Sequence, residues 1–176
     1  GSILSCAINK YIYVSVKKQT SLFNEKYRLN YSETELVTQL DEIKNPIIRE
    51  CIRFLNINDS LYISTIGDVP ASTGLGSSST FCVGLLNALY KFKGEVASSG
   101  RLAEEAAHIE CDILKRPMGK QDHYAAAYGD LNVLSFHANE KVTVEPVFYS
   151  PDVHQKIASN LLLFYTAQKR NASEIL

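Results

Sequence analysis

A chain of 176 residues has the length of one ordinary domain, and its 45% hydrophobic and 21% charged content is typical of a globular protein. The formal net charge is −1, and Lys and Arg are scattered among acidic residues. Neither nucleic acid nor an anionic membrane surface is therefore an expected partner. No apolar run approaches the length of about 18 residues that a membrane span needs, and no signal-peptide pattern is present, so the sequence predicts a cytoplasmic protein.

The cysteine pattern predicts buried thiols. The four cysteines lie far apart and form no C-x-x-C pair, which argues against a zinc site or a redox motif. Two formal glycosylation triplets, 58–60 and 171–173, leave a secreted protein with disulfides as the less favoured alternative. The cysteines are Cys6, Cys51, Cys82 and Cys111.

Hydrophobic periodicity predicts a mixed α+β order without a clean β-α-β alternation. No internal repeat, low-complexity tract or long linker divides the sequence, so one domain over 1–176 is expected. The predicted strands cover 3–7, 11–16, 61–66, 132–136, 142–148 and 161–166, and the predicted helices cover 32–44, 46–55, 77–92, 99–115 and 121–128.

Residues typical of helix ends support these boundaries. Ser32 and Glu35 form a capping-box pattern at the start of the first predicted helix. Asn45 precedes a proline that suits the first position of the second helix. Gly94 is predicted to cap the end of the third helix, and Pro117 to end the fourth.

The segment before the third helix reads Asp68-Val-Pro-Ala-Ser-Thr-Gly-Leu-Gly-Ser-Ser-Ser-Thr80. Gly74 and Gly76 permit positive φ angles and a close approach of the backbone to a ligand. The free N–H groups at the helix start carry the positive end of its dipole, and the three successive serines add hydroxyls for phosphate or Mg²⁺. The residues alone favour an anion site and a plain helix cap with a glycine-rich turn about equally.

A second group of polar residues follows on the helix predicted over 99–115. Glu110 lies on this helix, a Pro/Gly turn comes next, and Asp122 lies where the following helix begins. One carboxylate beside bound phosphates can hold Mg²⁺, and the other can accept a proton from an attacking hydroxyl or orient it. Without the glycine loop, these residues favour a helix cap at Asp122 and a solvated acidic face.

The glycine loop resembles a known phosphate-binding motif. Pro70-Ala-Ser-Thr-Gly-Leu-Gly-Ser-Ser-Ser79, together with carboxylates at Glu110 and Asp122, is similar to the pattern of the GHMP kinases, which phosphorylate small molecules such as galactose, homoserine and mevalonate. The loop is neither a Walker loop nor a dinucleotide fingerprint, because the spacing of both motifs is absent. The resemblance covers most of the chain. It implies an α+β, two-layer sheet-and-helix fold of the ribosomal-protein type, with ATP and Mg²⁺ as cofactors.

The resemblance also implies roles for individual residues. Asp122 would be the catalytic carboxylate, and Ser78 and Glu110 would be the magnesium ligands. His123 receives no catalytic role. The implied ATP and phosphate contacts are Pro70, Gly74, Leu75, Gly76, Ser77, Ser78 and Ser79.

A sugar phosphate is the implied substrate. Residues 119–129, 8–14 and 173–176 are especially similar to the branch of the family that phosphorylates the anomeric hydroxyl of D-glycero-D-manno-heptose 7-phosphate to the 1,7-bisphosphate. The candidate substrate contacts are Tyr11, Lys120, Gln121, Thr166 and Arg170. Strand packing explains Tyr11 equally well, and a solvated loop is the favoured alternative for Thr166 and Arg170.

Other functions stay open at this point. A galactokinase- or fucokinase-like enzyme is the alternative within the family. A non-catalytic nucleotide- or sugar-binding fragment and an RNA-binding module are alternatives outside it, and the near-neutral charge disfavours the last. The oligomeric state is not predicted.

Two parts of the family pattern lie outside these 176 residues. They are the opening strand with its Gly-Gly-Gly-Thr-Asp turn, and the C-terminal domain with a third glycine-rich motif. The expectation is therefore an N-terminal ATP-binding GHMP kinase domain over 1–176 that lacks both. Ala167 is a further departure, since the heptose branch has glycine there.

Overall fold

The computed structural model describes residues 1–70, 74–162 and 164. Within these residues the strands are β1 (Ser2–Cys6), β2 (Ile12–Lys18), β3 (Tyr27–Asn30), β4 (Thr34–Val37), β5 (Leu61–Gly67), β6 (Leu131–Phe136) and β7 (Val142–Pro146). The α-helices are α1 (Pro46–Phe54), α2 (Ser77–Phe92), α3 (Ser99–Ala107), α4 (Gln121–Tyr128) and α5 (Pro151–Ser159). A 3₁₀ turn (Leu40–Glu42) precedes α1, and a π-helical segment (His108–Ile113) continues α3.

The strands form two sheets. In the larger sheet β2, β5, β3 and β4 lie side by side in that order, with β3 and β5 parallel and the other pairs antiparallel. In the smaller sheet β6 pairs antiparallel with β1 on one side and with β7 on the other. The consecutive strands β1 and β2 therefore belong to different sheets.

Helices cover one face of the larger sheet. Val14 and Val16 of β2 pack against the core, whereas Tyr13, which precedes them, is 55% exposed, as the alternation of a strand requires. A Cβ atom on Gly84 of α2 would lie 3.5 Å from Cγ2 of Val14, so helix and strand are in close contact. The fully buried core includes Leu29, Ile43, Ile48, Cys51, Ile52, Leu61, Ile63, Cys82, Leu85, Leu86, Leu89 and Ile109.

The helices α3 and α4 cover the smaller sheet. Leu134 of β6 packs with Ala103 of α3 and Tyr124 of α4, and all three side chains are buried. The helix α4 also packs against α2. Its first turn lies close to the start of α2, because Asp122 in that turn lies against Gly76, the residue before α2. The expected α+β fold of sheets covered by helices is confirmed.

Several predicted elements are confirmed with their boundaries. Both α2 and α4 begin and end at the predicted residues. Gly94 follows α2 with a φ angle of 78°, the left-handed conformation typical of a glycine after a helix end. At the start of α1, the side chain of Asn45 accepts a hydrogen bond from the N–H of Ile48 at 3.1 Å, and Pro46 is the first helical residue.

The helix predicted over 32–44 is wrong, because these residues form β4 and the 3₁₀ turn. Glu35 is buried, and its carboxylate accepts hydrogen bonds from the N–H groups of Lys44 at 2.7 Å and Asn45 at 3.1 Å. The hydroxyl of Tyr31 donates a third hydrogen bond to it at 2.8 Å. The residue assigned to a helix start therefore fixes the connection between β4 and α1.

Three further expectations differ from the structure. The helix predicted over 99–115 consists of α3 and the π-helical segment. The strand predicted over 161–166 is absent at Leu161 and Leu162, and most of its other residues lie outside the described part of the chain. The elements β3 and α5 were not predicted.

The cysteine prediction is half right. Cys51 and Cys82 are buried, with their Sγ atoms 3.9 Å apart, whereas Cys6 is exposed and Cys111 is half-buried. Burial raises the pKa of the Cys51 thiol well above its ordinary value. Among the described helices, none combines the length and the apolar character of a membrane span.

Candidate active site

The glycine loop leads directly into α2. Gly74 and Gly76 have φ angles of 78° and 67°, in the left-handed region that favours glycine. The N–H of Thr80 donates to the carbonyl of Gly76 at 2.9 Å, so the N–H groups of the three serines between them have no acceptor within the helix. These N–H groups lie at the positive end of the helix dipole, where an anion is stabilised. Pro70 and Leu75, the other predicted loop contacts, are exposed.

The three serines of the first turn differ in exposure. Ser77 and Ser78 are half-buried. Ser79 is fully buried, and its hydroxyl has no hydrogen-bond partner among the described residues. The hydroxyls that a ligand can reach are therefore those of Ser77 and Ser78.

The first residues of the loop are tied to the chain before β2. The N–H of Tyr11 donates to Oδ2 of Asp68 at 2.9 Å, and the N–H of Asp68 donates to the carbonyl of Tyr11 at 2.9 Å. This reciprocal pair fixes the position at which the chain leaves β5. The ring of Tyr11 is 55% exposed and lies 6.1 Å from the ring of Tyr13, so it remains accessible to a ligand.

Asp122 lies beside the glycine loop. A Cβ atom added to Gly76 would be 3.3 Å from Cβ, Cγ and Oδ2 of Asp122. Asp122 is in the first turn of α4 and is half-buried. The packing of α4 on α2 therefore brings a carboxylate to the loop that can bind an anion. A carboxylate at this position can accept a proton from a hydroxyl group or orient it.

Ser78 and Glu110 are in direct contact. The hydroxyl of Ser78 donates to Oε1 of Glu110 at 2.6 Å. Glu110 lies in the π-helical segment and is fully buried. Its Oε2 atom lies 3.0 Å from Nε2 of His123, which is also fully buried. This network joins the first turn of α2, the π-helical segment and α4.

Arg116 completes the network. Its Nη1 atom donates to Oγ of Ser78 at 2.6 Å and to Oε1 of Glu110 at 2.5 Å. The backbone N–H of Arg116 donates to the backbone carbonyl of Glu110 at 3.0 Å. The backbone therefore returns to Glu110 after the π-helical segment, and the guanidinium reaches the same carboxylate that His123 contacts from the other side.

Glu110 is ionised in spite of its burial. Burial raises the pKa of this carboxyl group, but the hydrogen bonds from His123 and Ser78 and the positive charge of Arg116 outweigh it, so the pKa lies below its ordinary value. The network therefore keeps a negative charge beside the first turn of α2.

The oxygens of this network fit a magnesium ion. Mg²⁺ prefers oxygen ligands and is usually bound by one or two carboxylates together with phosphates and water. Ser78 and Glu110 supply a hydroxyl and a carboxylate oxygen, and both already contact one cationic group, the Arg116 guanidinium. In the described ranges, no group of three His, Cys, Asp or Glu side chains could hold a metal.

The remaining predicted substrate contacts are less defined. Lys120 precedes Asp122 by two residues and forms an ion pair with Glu140 in the turn between β6 and β7. Gln121, the first residue of α4, is exposed. Thr166 and Arg170 lie outside the described residues.

Two members of the network, Arg116 and His123, were not assigned to the site from the sequence. Both lie in the same short segment as the predicted carboxylates. Residue type and spacing do not reveal that the turn after the π-helical segment brings Arg116 back to Glu110. The sequence indicates no catalytic role for His123 and does not predict the complete burial of its side chain.

Known proteins share this sequence pattern. Residues 45–130 match the family described as GHMP kinases N terminal domain. The chain is 28% identical to D-glycero-alpha-D-manno-heptose 7-phosphate kinase of Campylobacter jejuni, over 99% of this chain and 54% of the relative. It is 25% identical to galactokinase of Pyrococcus furiosus, over 97% of this chain and 48% of the relative. The chain thus spans about half the length of these curated relatives.

The fold agrees with the sequence. A crystal structure of a D-glycero-D-manno-heptose 1-phosphate kinase from Bacteroides thetaiotaomicron matches 90% of this chain and 55% of its own, with a TM-score of 0.81 and 27% identity. The segment matched by the family, residues 45–130, contains the glycine loop, Glu110 and Asp122. Sequence and fold therefore agree that this chain is similar to the GHMP kinases, with the family match over residues 45–130.

Proposed function

We propose that residues 1–176 act as the ATP-binding domain of a sugar kinase. Its reaction would transfer the γ-phosphate of ATP to the anomeric hydroxyl of D-glycero-D-manno-heptose 7-phosphate and give the 1,7-bisphosphate. One observation carries the proposal: Asp122 lies against Gly76, which puts a carboxylate beside the loop that would bind the ATP phosphates. The similarity to the heptose 7-phosphate kinase of C. jejuni supports this choice of sugar.

The residues of the chain would divide the chemical work. The backbone of the loop over 74–79 and the positive end of α2 would bind the phosphates. Asp122 would accept the proton of the sugar hydroxyl or orient that hydroxyl for attack. Phosphoryl transfer requires little covalent chemistry from a protein, so positioning and charge stabilisation would supply most of the rate.

Ser78 and Glu110 would hold Mg²⁺. When bound there, the ion would supply positive charge to offset the negative charge that develops during transfer. The lowered pKa of Glu110 supports this role, because the carboxylate stays ionised at neutral pH. The proposed sugar contacts remain Tyr11, Lys120, Gln121, Thr166 and Arg170.

The proposed reaction takes place in the cytoplasm, where ATP and phosphorylated sugars are available. It requires neither nucleic acid nor a membrane surface. The net charge of −1 agrees with this, since both of those partners are bound mainly through positive charge.

A galactokinase-like activity on another sugar is the second candidate. The similarity to the P. furiosus galactokinase favours it. Both candidates use the same phosphate loop and the same carboxylates, and they differ only in the sugar. A third possibility is a domain that binds Mg-ATP without transferring phosphate.

The test is ADP release from Mg-ATP by the full-length gene product, with heptose 7-phosphate, galactose, fucose and no sugar compared side by side. We expect release with heptose 7-phosphate alone. Release with galactose or fucose instead would select the second candidate. Binding of Mg-ATP without sugar-dependent ADP release would overturn the kinase proposal.

A further inference from the structure

Three groups meet at one point of the network. Nη1 of Arg116 lies 2.6 Å from Oγ of Ser78 and 2.5 Å from Oε1 of Glu110, and these two oxygens are themselves 2.6 Å apart. The proposed function assigns the same two oxygens to Mg²⁺. A guanidinium and a magnesium ion cannot both occupy this position, because each would need the same lone pairs and both are positively charged.

The charge at this point requires a cation. Glu110 is fully buried and forms an ion pair with Arg116, and a buried carboxylate without a positive partner is strongly destabilising. Oε2 faces His123, whereas Oε1 faces Ser78 and Arg116. The Arg116 guanidinium is therefore the permanently charged group that contacts the Oε1 side of the carboxylate.

The Arg116 side chain has room to move while its backbone stays in place. The backbone is held by hydrogen bonds on both sides, since its N–H donates to the carbonyl of Glu110 at 3.0 Å and its carbonyl accepts from the N–H of Met118 at 2.9 Å. The side chain is 34% exposed, whereas that of Glu110 is completely buried. Rotation of the side chain towards solvent would therefore uncover the two oxygens without unfolding the turn.

We propose that Arg116 is an exchangeable counter-cation, which holds Ser78 and Glu110 together in the metal-free protein and gives up this position when a divalent cation binds. The inference rests on the proposed function, which assigns these oxygens to a metal, and it makes Arg116 a positioning residue. Because Arg116 competes with the free ion, an ion that arrives with the phosphates of a nucleotide has an advantage over an ion that arrives alone. The displaced guanidinium is then available to bind an anion near the loop.

The test is a calorimetric titration of Mn²⁺, as a probe for a divalent cation, into the full-length nucleotide-free protein. Arg116→Gln removes the competing charge, and we expect it to bind Mn²⁺ at least about fivefold more tightly, the lower end of a typical coupling between two sites. Lys115→Gln is the matched control, because it removes the same charge from the adjacent exposed residue, which is not among the described partners of Ser78, Glu110 or His123. It should leave Mn²⁺ binding unchanged.

Thermal melting shows whether each variant is folded. If Arg116→Gln does not fold, Arg116→Lys replaces it, because a lysine keeps the positive charge, but its ammonium group is more strongly hydrated and its flexible side chain is less preorganised for contact with the two oxygens. We expect Arg116→Lys to bind Mn²⁺ more tightly than the unchanged protein by a smaller factor. Equal or weaker binding of Mn²⁺ by the variant tested would overturn the inference. So would an affinity gain of the same size in Lys115→Gln.

The two proposals fail in different ways. One outcome is sugar-dependent ADP release that requires Glu110, together with an Mn²⁺ affinity that is the same in Arg116→Gln and in the unchanged protein. It would overturn the exchange and leave the kinase proposal standing. Tighter Mn²⁺ binding by Arg116→Gln without any sugar-dependent ADP release would overturn the kinase proposal and leave the exchange standing. Loss of the gain when Glu110→Gln is combined with Arg116→Gln would assign the bound ion to this pair of oxygens.

Discussion

Asp122 lies against Gly76, so close that a Cβ atom on the glycine would come within 3.3 Å of the carboxylate oxygen Oδ2. The glycine has a φ angle of 67° and immediately precedes α2, whereas the carboxylate belongs to the first turn of α4. One contact thus sets the distance between the proposed phosphate loop and the proposed catalytic carboxylate.

We expect Gly76→Ala to reduce both stability and turnover. An L-residue in the left-handed conformation costs about 1–2 kcal/mol, and the new methyl group would also press on Asp122. A displacement of about 1 Å at a reacting group can lower the rate up to roughly a hundredfold. Denaturant unfolding and steady-state kinetics of the full-length protein would measure the two effects.

Gly94→Ala is the matched control for this change. Gly94 has a φ angle of 78°, but a Cβ atom there meets nothing within 4 Å. The unfolding free energy of the Gly94→Ala variant should fall by an amount similar to the conformational cost at Gly76. The turnover of this variant should stay unchanged. Equal turnover in the two variants would contradict the role given to the contact between Gly76 and Asp122.

Asp122→Asn should remove turnover and keep nucleotide binding. The amide has nearly the same shape as the carboxylate but cannot accept the proton, and the loss of a general base lowers rates by about 10²–10⁴-fold. Asp112→Asn is the control, because Asp112 is exposed and pairs with His108 away from the loop. Steady-state ADP release and equilibrium binding of ATP would separate the two effects. Full activity of Asp122→Asn would exclude Asp122 from the mechanism.

Glu35 should make the protein sensitive to acid. Burial raises the pKa of Glu35, but hydrogen bonds from the N–H of Lys44, from the Tyr31 hydroxyl and from the N–H of Asn45 outweigh it and hold the pKa below its ordinary value. The unfolded state therefore binds the proton more readily, so the stability from Glu35 is present above the unfolded pKa of about 4.3 and is lost as the pH falls through the lower folded value.

The variant Glu35→Gln tests this pH dependence. At pH 7 we expect it to lose about 1.5–3 kcal/mol of unfolding free energy, the usual contribution of hydrogen bonds to a charged group. The difference from the unchanged protein should shrink as the pH is lowered below 4 in a series of urea titrations. Glu33→Gln, at an exposed neighbouring position, should show no such difference. If the difference in unfolding free energy between the unchanged protein and Glu35→Gln stays constant with pH, Glu35 is not the source of the acid sensitivity.

His123 should be replaceable by glutamine but not by leucine. Glutamine can place an N–H group close to the position of Nε2, which lies 3.0 Å from Oε2 of Glu110, whereas leucine leaves that oxygen without its partner. We expect His123→Leu to lose about 1–3 kcal/mol of unfolding free energy and His123→Gln to lose clearly less. Thermal melts of both variants at pH 7 measure this, and equal losses would show that packing alone matters at this position.

Local sequence signals were sufficient where a helix has distinct ends. The bounds of α2 and α4 were predicted because glycine or proline punctuation surrounds each apolar helical run. The capping-box pattern at Glu35 was misleading, because its three donors come from Tyr31, Lys44 and Asn45, which only the folded chain brings together. Tertiary contacts override a local pattern in such a case.

In the candidate site, too, some features were predictable from the sequence and others depend on tertiary contacts. Positive φ angles at Gly74 and Gly76 and the convergence of Glu110 and Asp122 on the loop were expected from residue type, spacing and family resemblance. The contact of Arg116 with Ser78 and Glu110 was not expected, because it depends on the direction of the turn after the π-helical segment, which residue type and spacing do not reveal. Position in three dimensions, rather than chemistry, was the missing information.

The contacts of the site close shorter loops of the chain than the contacts of the small sheet. Ser78 and Glu110 are separated by 32 positions, and Glu110 and His123 by 13, whereas the hydroxyls of Ser2 and Ser135, which join β1 to β6, are separated by 133. Closing a long loop costs more conformational entropy than closing a short one. During refolding, amides of α2 and the π-helical segment should therefore become protected from hydrogen exchange before those of β1. The chain can assemble its chemical centre early and complete the small sheet around it afterwards.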